Sequence, residues 1–207
     1  MKKVRKLLSC VLMMTLLLAA CAPAGGETPE TAALALRDTY GNLAGWSSDV
    51  DITAEVGNKV FDFTLSAGWQ KEGETVLTIT APELLAGITA RIVDGETVLE
   101  YDGAGLSLGL LDGRGLTAVS AVPWVMEQIG SGYMAKCAWA GENKELLQIT
   151  FRDPEAEAGK GTEYRITLDR ETFALNGAEV SVDGASVLTA VFHNFTMIPQ
   201  GQGDGPK

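Results

Sequence analysis

The chain has 207 residues, of which 46% are hydrophobic and 21% are charged, and it carries a formal net charge of −11 at pH 7. This length and apolar content suit one domain with a substantial core. The acidic balance disfavours nucleic acid as a partner. A zinc site takes three or four Cys or His ligands. Two of the three cysteines, Cys10 and Cys21, lie in the N-terminal segment, and the remaining Cys137 and His193 cannot supply such a site.

The first 20 residues have the pattern of a secretion signal. Four basic residues precede an apolar run, Leu7 to Ala20, which is shorter than the about 20 residues of a membrane-spanning helix. The run ends in Leu18-Ala19-Ala20-Cys21, which resembles the lipobox of bacterial lipoproteins. The resemblance implies cleavage before Cys21, a covalent diacylglycerol on its sulfur, and a mature chain anchored to the bacterial cell membrane outside the cytoplasm.

Composition divides the remainder into three parts. Residues 21–28 are small and flexible, and they are predicted to form a lipidated tether. Residues 200–207 are rich in glycine and are predicted to be a disordered tail. Residues 29–199 then form the folded domain.

Two segments have helical periodicity. Thr28 can cap, and Pro29 can begin, a helix that ends near Gly45. A central helix ends at Gly130 to Gly132, with Pro123 either opening or kinking it. The apolar positions are Ala33, Leu36, Tyr40 and Leu43 in the first helix, and Val119, Val122, Val125, Met126 and Ile129 in the second.

The rest of the domain alternates between apolar and polar residues, as half-buried strands do. The longest such run is Phe61 to Trp69. Turn dipeptides, namely Asp94-Gly95, Asn176-Gly177 and Asp183-Gly184, separate several runs. The pattern predicts a mainly β (α+β) fold in the order helix, six strands, helix, five strands. The strongly curved antiparallel sheet of about 11 strands would form a half-open barrel, lidded by the N-terminal and central helices.

This element order resembles the LolA/LolB type of outer-membrane lipoprotein carrier and receptor over Pro29 to Ile198. The resemblance also rests on Thr78-Ile79-Thr80-Ala81-Pro82-Glu83 before Gly87-Ile88-Thr89-Ala90, and on Gly109-Leu110-Leu111-Asp112 before the Pro123 helix. It implies that lipid or lipoprotein acyl chains bind in an apolar concavity. A soluble carrier has no lipobox, so Cys21 disfavours a shuttle, and no loop of this sequence is matched to the lipid-inserting loop of the receptor.

Seven large apolar residues are candidates for cavity and lid. Trp124 and Met126 on the central helix are the first choice, because a lid presents bulky, adaptable groups to a ligand. The others would be either cavity wall or dry core. The full set is Phe61, Phe63, Trp69, Trp124, Met126, Trp139 and Phe151.

The alternative function is a non-enzymatic adaptor that docks a protein of the envelope, or a cell-wall enzyme of the kind involved in spore germination. An exposed sheet edge or the convex face would carry the contact. Strand exchange between two copies is one route to a homodimer.

Three further motifs are assigned structural roles. Gly105-Leu106-Ser107-Leu108-Gly109 matches a nucleophile elbow, but it lies within a β-meander, and His193 lies mid-strand, so we expect no enzyme activity. A cluster of acidic residues near turns offers oxygen ligands of the kind that suit calcium, but it lacks the glycine and the spacing of an EF-hand loop, so a solvated rim is the favoured interpretation. The cluster is Asp94, Glu96, Glu100, Asp102 and Asp112. Cys137 is expected to be a buried thiol.

Overall fold

A computed structural model describes residues 27–71, 73–110 and 117–201. Cys21, with the signal segment before it and most of the tether, lies outside the described residues, as do Asp112 and residues 202–207. The two helices are α1 (Pro29–Gly41) and α2 (Ala118–Ser131), and a short 3-10 turn covers Glu83–Leu85.

Eleven strands form one antiparallel sheet. Six strands precede α2, and they are β1 (Leu43–Val56), β2 (Lys59–Gln70), β3 (Thr75–Ala81), β4 (Thr89–Val93), β5 (Glu96–Tyr101) and β6 (Ala104–Leu110). Five strands follow it, and they are β7 (Met134–Ala140), β8 (Leu146–Arg152), β9 (Thr162–Asp169), β10 (Leu175–Val182) and β11 (Ala185–Pro199). The predicted fold class and element order are confirmed.

The order of strands in the sheet is β6-β5-β4-β3-β2-β1-β11-β10-β9-β8-β7. The first and last strands therefore pair at the centre, and the chain returns from one edge to the other through α2. The described edges are β6 and β7, so the sheet is open. Helix α1 packs against β7 and β8, and α2 packs against α1 and β9.

The two faces of the sheet differ in polarity. The concave face is apolar and forms one core with both helices, including Leu36, Ile52, Val122 and Ile166. The convex face carries polar cross-strand pairs, such as the ion pair between Arg165 and Glu179 at 2.5 Å. One wetted and one buried face is the usual arrangement of an antiparallel sheet.

Two predicted turn dipeptides form turns, and one does not. Asp94-Gly95 and Asp183-Gly184 have positive φ at both residues, as the tight hairpin turns require. The prediction for Asn176-Gly177 is wrong, because both residues lie inside β10 at a register shift against β9. The chain reverses earlier, where the Asp169 carboxylate accepts hydrogen bonds from the backbone N–H groups of Glu171 and Thr172.

Helix α1 begins as predicted and ends earlier than predicted. Thr28 caps it, and Pro29 is its first residue. The helix ends at Gly41 rather than near Gly45, because Asn42 satisfies its last carbonyls and Leu43 already pairs with Pro199 in the sheet. In α2 the cap is Thr117, and Pro123 lies inside the helix.

Candidate functional site

A cavity of about 260 Å³ lies where both helices meet the middle of the sheet. Its volume is just below the about 300 Å³ at which small-molecule sites begin. It has room for a segment of an apolar chain. The lining residues are Tyr40, Gly41, Leu43, Trp46, Trp69, Thr75, Pro123, Met126 and Gly130.

Two tryptophans on neighbouring strands form the sheet side of the cavity. Trp46 on β1 and Trp69 on β2 are directly opposite in register. Trp46 is buried and Trp69 is half-buried. Gly45 lets the strands approach closely, because a Cβ at this position would lie 2.7 Å from the Trp69 carbonyl oxygen.

A bulge in β11 adds a third aromatic ring to this wall. Asn194 has φ of 54°, and the β1–β11 register shifts beside it. Phe192 and Phe195, three residues apart, therefore contact each other in the core with ring centroids 6.3 Å apart. Phe195 also stacks on both Trp46 and Tyr40, at 6.0 and 6.2 Å.

Tyr40 joins the cavity to the far half of the sheet. Its hydroxyl donates to the Phe173 carbonyl oxygen at 2.9 Å. Burial raises the pKa of this phenol well above its ordinary value, so it stays neutral. No Asp, Glu, Lys or Arg is among the described residues that line the cavity, and this favours an uncharged ligand segment.

Helix α2 covers the cavity with Pro123 and Met126. Its C-terminus is held by α1, where the Arg37 Nε donates to the Ile129 carbonyl oxygen at 3.1 Å and a second guanidinium nitrogen donates to Gly132. A cation at the C-terminus of a helix also favours its dipole. The C-terminal end of the helix that covers the cavity is therefore held in place by α1.

Of the seven residues chosen from the sequence, Trp69 and Met126 line this cavity. Trp124 packs on Tyr164 instead, with ring centroids 5.9 Å apart, and its buried indole N–H finds no acceptor among the residues that the structure describes. Phe151 is fully buried core. The Arg170 guanidinium lies over the Trp139 side chain, 4.0 Å from the centroid of the tryptophan ring.

The remaining two candidates, Phe61 and Phe63, lie on β2, and neither lines the cavity. Phe61 is 41% exposed, so it is not core. Sequence reasoning did not select Tyr40, Leu43, Trp46 or Pro123 for the cavity. Tyr40 was available as a helical apolar position, whereas Trp46 lies between the predicted helix and the first counted strand.

A second, wider groove of about 590 Å³ shares Trp46 and Trp69 with the cavity. Its other walls include Gln70, Gly73 and Glu74. Neither helix contributes to it, and a charged residue lines it. The helix-covered cavity is therefore the better site for an apolar ligand.

The described residues do not assemble the catalytic pair or the metal site that the sequence analysis considered. Ser107 lies in edge strand β6, six strands away from His193 in β11. His193 instead lies 2.9 Å from the Asp51 carboxylate. No group of three or more His, Cys, Asp or Glu within residues 27–71, 73–110 and 117–201 is arranged to hold a metal ion.

One other sequence expectation differs from the structure, because Cys137 is half-buried rather than buried. Leu84, in the turn between β3 and β4, is 89% exposed, and sequence reasoning did not select this residue. No helix in the described part of the chain is long and apolar enough to cross a bilayer.

Comparisons with known proteins agree with this architecture. No protein-family model and no curated protein matches the chain. Among solved structures, an uncharacterized conserved protein from Thermus thermophilus is 9% identical, with a TM-score of 0.50 over 85% of this chain and 95% of the other.

Two further structures are similar at lower TM-scores. A LolA superfamily protein from Nitrosomonas europaea is 9% identical, with a TM-score of 0.43 over 88% of this chain and 99% of the other. One chain in the structure of the CwlD amidase from Clostridioides difficile in complex with the GerS lipoprotein is 12% identical, with a TM-score of 0.46 over 83% of this chain and 97% of the other. Such likeness concerns the fold alone, and it agrees with the curved, helix-lidded sheet expected from the sequence.

Proposed function

We propose that this chain is a non-enzymatic lipoprotein of the bacterial cell envelope that holds an acyl chain, of a lipid or a lipoprotein, beneath α2. The observation that carries the proposal is the cavity itself, with its paired Trp46 and Trp69 and its Met126 lid. Anchoring through diacylglycerol on Cys21, and hence the extracytoplasmic location, is part of the proposal and rests on the lipobox-like sequence.

The cavity sets limits on the ligand. Its walls offer aromatic and aliphatic surface, and burial of apolar surface contributes roughly 25 cal/mol per Å². No charged group among the described lining residues fixes a headgroup. We therefore expect acyl chains of similar length to bind with similar affinity, and the headgroup to remain outside.

The proposal is tested by native mass spectrometry on protein purified from the envelope, together with titration of a fluorescent fatty acid. Met126→Asp should weaken uptake by about tenfold or more, because a carboxylate placed in an apolar site costs several kcal/mol. Leu34→Asp is the matched control, since Leu34 is 61% exposed on α1 and lies outside the cavity.

Retention of full uptake by Met126→Asp would contradict the lid assignment. A folded wild-type chain that purifies without lipid and does not bind the fluorescent fatty acid would contradict the ligand proposal as a whole. Circular dichroism of each variant separates loss of binding from loss of fold.

The edge strand β6 favours the adaptor as a second candidate function. Leu106, Leu108 and Leu110 are 61%, 49% and 75% exposed on this strand. β6 carries no charged residue or proline, the usual protections of a free edge. Leu108→Lys should then abolish capture of an envelope protein and leave fatty-acid uptake unchanged, whereas loss of uptake alone would count against the adaptor.

A further inference from the structure

The described N-terminus contacts the β9–β10 turn. The Glu27 carboxylate lies 3.7 Å from the Arg170 guanidinium. The same guanidinium lies over the Trp139 ring, 4.0 Å from its centroid, and this contact orients the arginine toward Glu27. The path of the chain toward Cys21 therefore starts from one defined place on the domain.

That place lies at the same end of the sheet as the cavity. The cavity residues Leu43, Trp46 and Trp69 lie at the start of β1 and the end of β2. The β9–β10 turn lies toward this end, because β10 begins there and pairs antiparallel with β11, whose last residues pair with Leu43. Tyr40 connects the two features, since it lines the cavity and its hydroxyl bonds to Phe173 in the turn.

We infer that the end of the sheet that holds the cavity faces the membrane that anchors the chain, and that the ligand is an acyl chain withdrawn from that membrane. This inference rests on the proposed function and on acylation of Cys21. Six residue steps separate Cys21 from Glu27, and they span at most about 21 Å. The end of the sheet that holds Glu27 must stay within that distance of the bilayer surface.

The opposite end of the sheet is far from this attachment. Strand β2 has 12 residues and spans roughly 40 Å. Its two ends are marked by exposed residues, Lys71, two residues after the cavity residue Trp69, and Asn58 in the β1–β2 turn. An upright domain would hold Asn58 away from the membrane and Lys71 near it.

Fluorescence quenching tests this orientation on the full acylated chain in phosphatidylcholine vesicles that contain spin-labelled lipid. Single probes are placed at Lys71→Cys and at Asn58→Cys in a Cys137→Ala background. We expect quenching several-fold stronger at position 71. Equal quenching, or stronger quenching at position 58, would overturn the inference.

Loosening the N-terminal attachment provides a second measurement. Arg170→Ala should reduce the difference in quenching between the two positions, because the chain toward Cys21 then leaves the domain with more freedom. Arg165→Ala is the control, since its ion pair with Glu179 lies on the convex face. An unchanged difference in Arg170→Ala would contradict the role of the Glu27 contact.

Fatty-acid uptake by the same samples separates this inference from the proposed function. If quenching places position 71 toward the bilayer but the chain takes up no acyl probe, the ligand proposal is contradicted and the inferred orientation is supported. A chain that binds the probe with position 58 toward the bilayer overturns the orientation alone. Absence of acylation at Cys21 overturns the orientation and the membrane anchor, whereas acyl binding is judged by uptake of the probe alone.

Discussion

Arg37 of α1 donates a hydrogen bond to the carbonyl oxygen of Ile129 in α2, 92 residues further along the chain. The last turn of α2 contains no basic residue of its own. The guanidinium therefore supplies from another helix what a lysine or arginine in that turn would supply. It also joins the two helices that close the concave face.

Replacing Arg37 should destabilise the fold. Arg37→Ala removes the donors to Ile129 and Gly132, and hydrogen bonds from a charged group contribute about 1.5 to 3 kcal/mol to stability. We expect the midpoint of urea unfolding to be lower in Arg37→Ala than in the wild type. The midpoint of Arg37→Lys should lie between those of the wild type and Arg37→Ala. Asp38→Ala, an exposed substitution on the same helix, is the control. A wild-type midpoint in Arg37→Ala would show that the contact contributes nothing.

Gly45→Ala should be destabilising, whereas Gly105→Ala should not. A Cβ at Gly45 would meet the Trp69 carbonyl oxygen at 2.7 Å, and backbone must shift to admit it. Overpacking of this kind costs about 1 to 3 kcal/mol. At Gly105 the nearest atom is a Val98 methyl at 3.7 Å, so alanine there should leave stability equal or slightly raise it. Thermal unfolding of both variants measures the difference.

The same experiment bears on the cavity. A strand shift at Gly45 moves Trp46 against Trp69, so fatty-acid uptake should fall in Gly45→Ala and stay unchanged in Gly105→Ala. Equal stability and uptake in the two variants would mean that the close approach at Gly45 is not required.

The fold followed from the sequence because its determinants are local. Alternation along the strands, the cap at Thr28 and the Asp-Gly turns each act within a few residues, and together they fix the order of elements. Asn176-Gly177 failed because the same dipeptide also suits a bulge. The competing reversal at Asp169 depends on a side-chain carboxylate that the dipeptide rule ignores.

The cavity was less predictable because long-range register decides which side chains meet. Trp46 faces Trp69 through the β1–β2 pairing, and Phe195 reaches Tyr40 through a bulge at Asn194 that reverses the alternation of β11. Strict alternation would have placed Phe192 and Phe195 on opposite faces. Trp124 looked like a lid residue from its helix position, yet it packs on Tyr164.

Acid should remove a stabilising contribution of Asp51. The Thr64 hydroxyl donates to its carboxylate at 2.8 Å, and His193 lies 2.9 Å from the other oxygen. These hydrogen bonds, Thr64 first, hold the pKa of Asp51 below its ordinary value. The contribution is therefore present above the unfolded pKa of about 3.9, and it is lost as the pH falls through the lower folded value.

Urea midpoints between pH 7 and pH 2 measure this dependence. The wild type should lose more stability over the acid range than Asp51→Asn, by a modest margin because both partners are about half exposed. Glu55→Gln, an exposed neutralisation on the same strand, should follow the wild-type curve. Parallel curves for wild type and Asp51→Asn would contradict the assignment.

Cys137 should react slowly with thiol reagents in the native chain. Burial, and next the charge of Glu30, raise its pKa, while Arg37 opposes them. Because the thiolate is the nucleophile, a disulfide reagent at pH 8 should react faster with Glu30→Gln than with the wild type. Glu142→Gln, exposed after β7, should match the wild type. A native rate equal to that in urea would show instead that neither burial nor these charges protect the thiol.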